Sequence, residues 1–198
     1  LIGGGYDKKS TYDEWIEAFD GKVKELILMG VTAPKIAECA KAHGFDKIKF
    51  VDSMEDAVSY IAEKVDNLFK VKLMKMLWYS DAVSYIKNGC AMTGMVYRHE
   101  PMGALPVGHY SLMNLENINV QEEMSYNYDT MLHIYPTANM DYSVLTDSEI
   151  NILDKVIAKF KDYKAKDIIE YMHDERAYME TKPGEIIPFS LAKEIKAF

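Results

Sequence analysis

The stretch Lys72 to Val107, KLMKMLWYSDAVSYIKNGCAMTGMVYRHEPMGALPV, decides the fold of this chain. Its first part predicts a helix, because apolar residues recur at i, i+3, i+4 and i+7 spacing. Asn88-Gly89 should end that helix, since glycine readily takes the left-handed conformation found just past helix ends. A β-prone run from Met92 to Tyr97 follows. The stretch closes in a loop that is stiffened by Pro101, Gly103 and Pro106.

Three blocks of this stretch occur in a fixed order: KLMKMLWYSDAVSY at 72–85, TGMVY at 93–97 and PMGALPV at 101–107. On these blocks the chain resembles the Panacea domain, the SocA-like antitoxin module of many bacterial toxin–antitoxin pairs. The resemblance extends from about residue 68 to the C-terminus and includes an H-x-E-x-A-Y run at 173–178. It implies a mainly helical α+β domain that neutralises a protein toxin by direct contact.

Six residues of the stretch are the partner-binding residues that we expect: Tyr79, Asp81, Tyr97, Pro101, Gly103 and Pro106. Tyr79 and Asp81 are expected near an exposed edge of the helix, and the prolines and the glycine should stiffen the loop. A stiff loop with aromatic anchors loses little entropy when it docks. The alternative is structural: the loop residues form a tight turn, and Asp81 caps a neighbouring helix.

From Leu1 to about residue 65 the pattern alternates between strand and helix. Predicted strands at Leu1-Ile2, 23–29 and 47–51 are followed by helices at 13–19, 32–43 and from Ser53. Such alternation predicts a parallel sheet covered by helices. Thr32 is expected to cap the second helix. Because Leu1 lies inside an apparent strand, we expect the N-terminus to be a cut.

This segment is similar to the C-terminal domain of a Mur ligase of the type that adds D-glutamate (MurD). The matching runs are GGYDK at 4–8, LILMGVTAPKI at 26–36 and FVDSMEDAV at 50–58. In that family the lysine of the first run reaches the substrate carboxylate, a role that would fall to Lys8. The family's Ser-Pro-Ala-Cys-Ala-Ser motif and its ATPase domain are missing. The alternative function is therefore a remnant of UDP-N-acetylmuramoyl-L-alanine–D-glutamate ligase, inactive as an enzyme.

The two resemblances predict two domains with a boundary near Asn67. Residues 1–67 should form a truncated Rossmann-like parallel α/β sheet, and residues 68–198 the mainly helical α+β Panacea-like domain. No linker of Pro, Gly or Ser residues separates them. The helices on either side of Asn67 should therefore continue into each other with only a kink. Beyond Val107 we expect a short helix to Leu115, strands at 118–123 and 131–135, and helices from Thr146 and at 165–173. Thr146 and Glu149 form a predicted capping box.

Composition restricts the possible partners. The net charge is −8, and neither part is basic, so binding of nucleic acid by the chain itself is disfavoured. Cys39 and Cys90 are too few and too far apart for a disulfide framework or a zinc site, which predicts reduced thiols in a cytoplasm. The chain has no apolar run of the length that a bilayer requires, so no membrane association is expected.

No catalytic, cofactor or metal pattern emerges from the sequence, which predicts a binding protein rather than an enzyme. Gly3 to Ser10 nearly matches a P-loop, but Lys8 stands where that pattern needs a glycine, so we expect no ATP binding. No histidine lies at i, i+4 from another, and no metalloprotease or deaminase motif occurs. We expect packing or surface roles for all five: His43, His99, His109, His133 and His173.

Overall fold

The computed structural model describes residues 1–4, 9–29, 32–50, 53–125, 127–138, 142 and 144–196. The chain divides into two compact units, Leu1–Asp52 and Ser53–Phe198. Each unit has a hydrophobic core of its own. This division falls earlier in the chain than the boundary near Asn67 that the family resemblances suggest.

The first unit contains a three-stranded parallel sheet in the order β1-β2-β3. Its strands are β1 (Ile2–Gly4), β2 (Leu26–Met29) and β3 (Ile48–Phe50), and its helices are α1 (Asp13–Glu17) and α2 (Ala33–Ala42). The alternation of strands and helices therefore predicts these elements correctly. Thr32 is a correction: it stands at the N-terminal end of α2 with no capping hydrogen bond from its side chain, because its backbone is already helical.

The core of the first unit lies between β2 and the two helices. Leu26 and Leu28 are fully buried on the strand, and Ile16 of α1 and Ile36 of α2 pack against them. An aromatic chain extends this core, with the rings of Trp15, Phe19 and Phe45 in successive edge-to-face contacts. Short apolar residues of α2, Ala33, Ala37 and Ala40, allow the helices to approach closely.

The second unit is mixed, with five helices and two antiparallel hairpins among its described residues. The helices are α3 (Ser53–Lys64), α4 (Lys70–Asn88), α5 (Asp147–Phe160), α6 (Ala165–His173) and α7 (Arg176–Met179). The hairpins are formed by β4 (Tyr97–Glu100) with β5 (Gly103–Pro106), and by β6 (Ile118–Met124) with β7 (Thr130–Pro136). Turns of 3-10 helix occur at Ser111–Asn114 and Phe189–Glu194.

Helix α4 is the centre of this unit. Every residue from Lys72 to Ser84 is buried, so the helix is enclosed on all sides rather than amphipathic. It contacts α3, α5, α6, β5 and the last 3-10 helix. Its end is as predicted: Gly89 has φ of +77°, and its N–H donates to the carbonyl oxygen of Tyr85 at 2.9 Å.

The connection between α3 and α4 differs from the expected kink. α3 ends at Lys64, Asn67 has φ of +53°, and Phe69 is extended and forms a β-bridge with His133. α3 itself packs on α5, β6 and β7 of the second unit. The reason is its apolar face: Ala57, Val58 and Ile61 are completely buried in that unit's core.

Other expectations are met in part. The strands β6 and β7 and the helices α5 and α6 lie where the sequence predicts them, and the Thr146–Glu149 capping box is present. The strand expected from Met92 begins only at Tyr97, because Gly94 has φ of +68° and Thr93 is bonded to a helix side chain. The helix expected at 107–115 is reduced to one 3-10 turn.

Within the described residues, no helix combines the length and apolar character needed to cross a bilayer.

Candidate functional site

The hairpin of β4 and β5 carries most of the residues that the sequence singles out. Its register places Tyr97 opposite Pro106. Residues 184–187 lie along the other edge of β4, where backbone hydrogen bonds of 2.8 Å join the two segments. Arg98 pairs there with Ile186 in an antiparallel bridge. The hairpin is therefore the major part of a three-stranded arrangement with one buried face and one exposed face.

A buried carboxylate holds the inner face of this hairpin. Asp81 of α4 is completely buried and accepts hydrogen bonds from the Tyr97 hydroxyl (2.7 Å), the Thr93 N–H (2.7 Å) and the Thr93 hydroxyl (2.5 Å). Burial raises the pKa of Asp81 to about 6, against the lowering effect of these donors. The pKa of Tyr97 is raised well above its usual range by burial and by Asp81. The strand is thus tied to the helix through a charge-bearing network.

The expected exposure of Tyr79 and Asp81 is wrong, since both side chains are completely buried, and Tyr97, an expected binding residue, is completely buried as well. Tyr79 points away from solvent, and its hydroxyl donates to Oε1 of Glu175 at 3.1 Å. Burial raises the pKa of Glu175, which is almost fully enclosed. The physical reason is the position of α4, which is covered on every side, so polar residues on it face other elements of the fold.

Gly103 and Lys75 fix the start of β5. The Lys75 ammonium group is buried and donates to the carbonyl oxygen of Ala104 at 3.0 Å, and burial lowers its pKa to about 8. Gly103 has φ of +95°, and a Cβ atom there would lie 2.9 Å from Cε of Lys75 and 2.8 Å from Cγ of Met172. A side chain at this position would have to displace one or both of these neighbours. Gly103 and Pro106 are buried, so they shape the hairpin from within.

The ring of Tyr178 in α7 packs against two histidine rings. The ring of Tyr178 stacks on His99 at a centroid distance of 3.8 Å and on His173 at 4.6 Å. Its hydroxyl donates to the carbonyl oxygen of Glu100 at 2.9 Å. His99 is also within hydrogen-bond distance of the Thr181 hydroxyl. This stack attaches α7 to the hairpin, which accounts for the histidines by packing.

The exposed face of the hairpin is apolar with a central cation. We call it the hairpin outer face; it comprises Val96, Arg98, Leu105, Val107 and Ile186. Val96 and Val107 are each 51% exposed and Ile186 is 46% exposed, while the adjacent turn exposes Pro101 and Met102. Of the six predicted binding residues, only Pro101 is exposed.

The sequence pattern around β4 could have identified most outer-face residues, but the choice of aromatic, proline and glycine residues as binding residues did not include them. From Val96 to Glu100, side chains alternate between solvent and interior, and the alternation predicts which ones face outward. Ile186 could not have been found this way, since its pairing with Arg98 joins segments far apart in the sequence. Lys8, the residue expected to reach a substrate carboxylate, lies outside the described residues.

A second group of chemically interesting side chains lies in the first unit. Asp13, Cys39 and His43 place a carboxylate oxygen, a thiol and an imidazole nitrogen within 4.8 Å of one another. His43 Nε2 lies 3.1 Å and Cys39 Sγ 3.7 Å from Oδ1 of Asp13. Among the described residues, this is the one such group with metal-ligating atoms. Spacing between histidines could not reveal this group, because His43 is joined in it by a cysteine and an aspartate.

Comparison with known proteins gives two separate similarities. UDP-N-acetylmuramoylalanine–D-glutamate ligase of Lachnoclostridium phytofermentans is 57% identical over 63 residues, which are 32% of this chain and 14% of that protein. The corresponding ligase of Lachnospira eligens is 39% identical over 105 residues, 53% of this chain and 20% of that protein. The chain thus spans no more than about a fifth of the length of these curated relatives. No solved structure matches the chain.

The second similarity covers the central helix and the hairpin. Residues 73–178 match the family model described as "Antitoxin SocA-like, Panacea domain". This range is more than half of the chain, and it contains most of α4, both hairpins, α5 and α6. Both resemblances noted in the sequence are therefore confirmed, the ligase one as a partial match. The chain belongs to the SocA-like antitoxin family, through its Panacea domain.

Proposed function

We propose that this protein is the antitoxin of a bacterial toxin–antitoxin pair and neutralises a protein toxin in the cytoplasm by direct binding. The observation that carries the proposal is the hairpin outer face, an exposed apolar surface of which all residues but Ile186 lie inside the family-matched range. Arg98 of β4 pairs with Leu105 of β5 on one side and with Ile186 on the other, and Val96 and Val107 flank the two strands. Arginine beside apolar side chains is a composition that protein interfaces favour.

The rigidity of the hairpin supports this role. The Asp81 network and the Gly103–Lys75 contact hold the inner face, so the outer face loses little conformational entropy on binding. We propose that Tyr79, Asp81, Tyr97, Gly103 and Pro106 act by supporting this face from beneath. Pro101, in the exposed turn, is the member of the predicted set that contacts the partner directly.

Charge supports a basic partner. Acidic residues outnumber basic ones in the second unit, and the whole chain carries a net charge of −8. Complementary potentials accelerate association and exclude wrong partners. A toxin whose apolar contact surface is surrounded by basic residues would be complementary to this acidic chain.

The ligase-like segment supports a second, weaker candidate. The local identity of 57% to a D-glutamate ligase favours descent of the first unit from such an enzyme, with the parallel sheet as a truncated Rossmann-like remnant. We propose that this remnant is inactive as an enzyme and that any affinity for an acidic amino acid would depend on Lys8. The chain matches only a small part of those enzymes, so their activity is not carried over.

Growth rescue tests the antitoxin proposal. The product of the gene adjacent to this one, tested first for toxicity when expressed alone, is co-expressed with the parent or with a Val96→Lys, Val107→Lys double variant. Lysines at these exposed positions should repel a basic partner and abolish rescue, while leaving the thermal melt within a few degrees of the parent. Met124→Lys is the matched control, because Met124 is an exposed apolar residue (69%) on the other hairpin, and it should rescue fully.

Each outcome has a clear meaning. If the double variant and the Met124→Lys control both rescue growth, the hairpin outer face is not the contact surface. If neither the parent nor any variant rescues growth or binds the toxin in a pull-down, the proposed function itself is wrong.

A further inference from the structure

The Asp13, Cys39 and His43 group is built by two helices that the core holds together. Cys39 and His43 stand at i and i+4, at the end of α2 and just past it, so their side chains lie on one face. Asp13 is the first residue of α1. α1 and α2 pack against each other through Ile16 and Ile36, among other core residues. The three side chains therefore meet on a framework set by apolar packing.

The distances from the Asp13 oxygen to the other two donor atoms are close to those between neighbouring ligands of a tetrahedral zinc ion. Metal–ligand bonds of about 2.0 Å for nitrogen and oxygen and about 2.3 Å for sulfur place N and O about 3.3 Å apart, and S and O about 3.5 Å apart. Here the His43 nitrogen and the Asp13 oxygen are 3.1 Å apart, and the Cys39 sulfur and the same oxygen are 3.7 Å apart. The sulfur and the imidazole nitrogen lie within 4.8 Å of each other, so small side-chain movements would bring all three donor atoms to one metal ion.

A fourth residue, Glu17, faces the other side of the imidazole. Its Oε1 lies 3.8 Å from His43 Nδ1, while His43 Nε2 faces Asp13. Metal-bound histidines commonly donate their second ring N–H to a carboxylate, which fixes the ring and the tautomer. Asp13 and Glu17 are also at i and i+4, so one short helix supplies both the ligand and this orienting group.

We propose that Asp13, Cys39 and His43 form a binding site for a divalent transition-metal cation of the zinc class, with Glu17 as the positioning residue. A thiolate, an imidazole and a carboxylate suit borderline cations such as Zn²⁺, whereas Mg²⁺ and Ca²⁺ prefer oxygen ligands alone. Asp13 and His43 are exposed, so solvent can supply the fourth ligand. This site is separate from the antitoxin role and does not depend on it.

The test uses the full-length protein with metal added alone. Zn²⁺ is titrated in competition with a chromophoric chelator, and Co²⁺ is added to follow the near-ultraviolet charge-transfer band of a cobalt–thiolate bond. We expect one equivalent of Zn²⁺ to bind at micromolar concentration or below, with a cobalt–thiolate band. Cys39→Ala should abolish this band, and His43→Gln should weaken binding by more than the roughly 10- to 100-fold that loss of an orienting group causes.

Matched variants separate the site from general surface binding. Glu17→Gln should weaken binding by roughly 10- to 100-fold and keep the thiolate band, whereas its neighbour Glu14→Gln should change nothing. Cys90→Ala and His109→Gln, which remove the same residue types in the second unit, should bind as the parent does. Metal-free thermal melts check that every variant is folded. Equal affinity in Cys39→Ala, His43→Gln and the parent, or no saturable binding by the parent, would overturn the proposal.

Discussion

At the scale of single residues, Asp81 is the group whose charge matters most to the fold. Burial raises its pKa to about 6, whereas an aspartate in an unfolded chain titrates near 3.9. Between about pH 4 and 6 the folded protein therefore holds a proton that the unfolded chain has released. The stability that this protonation contributes is fully present below about pH 4 and is lost as the pH rises through about 6.

Asp81→Asn removes this titration and makes the effect measurable. We expect the unfolding free energy of the parent, relative to the variant, to fall by roughly 2–3 kcal/mol between pH 4 and pH 7, at about 1.4 kcal/mol per pKa unit. Denaturant unfolding of both proteins over this range gives the difference, in which the other carboxyl groups cancel. The exposed Asp129→Asn is the control for removal of a carboxylate. A difference that stays constant with pH would show that Asp81 is not the titrating group.

Tyr97→Phe isolates one hydrogen bond to this carboxylate. The ring remains, but Asp81 loses a buried donor at 2.7 Å. Hydrogen bonds to charged groups contribute about 1.5–3 kcal/mol, so we expect a loss of that size in urea unfolding near neutral pH. Tyr128→Phe, at a tyrosine that is 83% exposed, should change stability by less than about 0.5 kcal/mol. Equal losses in the two variants would contradict the assignment.

At the scale of elements, the fit of the β4–β5 hairpin on α4 and α6 depends on Gly103. Gly103→Ala adds a methyl group that meets Lys75 and Met172, and it also strains a residue with φ of +95°. Overpacking costs about 1–3 kcal/mol and the backbone strain about 1 kcal/mol more, so we expect a loss of roughly 2–4 kcal/mol.

Gly108→Ala is the matched control for Gly103→Ala. Its φ is +77°, but a methyl group there would have no neighbour within 4 Å among the described residues. Backbone strain alone should cost about 1 kcal/mol. Chemical unfolding of the two variants should therefore separate crowding from strain. If both lose the same stability, the contact with Lys75 and Met172 is not limiting.

Whether a segment forms a helix or a strand could be predicted where residues close together in the sequence determine it. The Thr146–Glu149 capping box and the apolar stripe behind it predict α5, and the strands expected at 118–123 and 131–135 are present as β6 and β7. The exposure of residues on α4 could not be predicted. Periodicity indicates polar positions, but whether they meet water or a buried partner depends on distant segments. Asp81 meets Thr93 and Tyr97 only after the chain turns back on α4.

The candidate metal site shows the same limit. The Cys39–His43 spacing is readable within one helix, and so is the Asp13–Glu17 spacing. That the two pairs face each other follows from the packing of α1 on α2, which depends on core side chains such as Ile16 and Ile36. Local spacing can therefore suggest ligand pairs, and only the fold can combine them.

At the scale of the whole molecule, the place where the chain divides has a testable consequence. The core of the second unit contains Ala57, Val58 and Ile61 of α3, and the Tyr60 hydroxyl donates to Asp154 of α5 at 2.8 Å. We expect residues 53–198 expressed alone to unfold cooperatively. A fragment of residues 68–198 lacks α3 and should lose several kcal/mol or fail to fold, because each large buried side chain contributes about 1.5–3 kcal/mol.

Circular dichroism melts and denaturant unfolding of the two fragments provide the measurement. The full chain serves as the reference for the secondary structure expected of each. Equal stability of the two fragments would place the boundary near Asn67, as the family resemblances suggest, and would make α3 dispensable.

The pairing of residues 184–187 with β4 makes the hairpin outer face depend on a distant segment of the chain. This segment is translated more than eighty residues after β4. A ribosome must therefore deliver residues 184–187 before the hairpin outer face is complete. Conversely, a protease that cleaves just before residue 184 removes Ile186 from this face, together with the 3-10 helix that packs on α4. Synthesis and cleavage of a segment far from the hairpin in sequence therefore control whether the surface is complete.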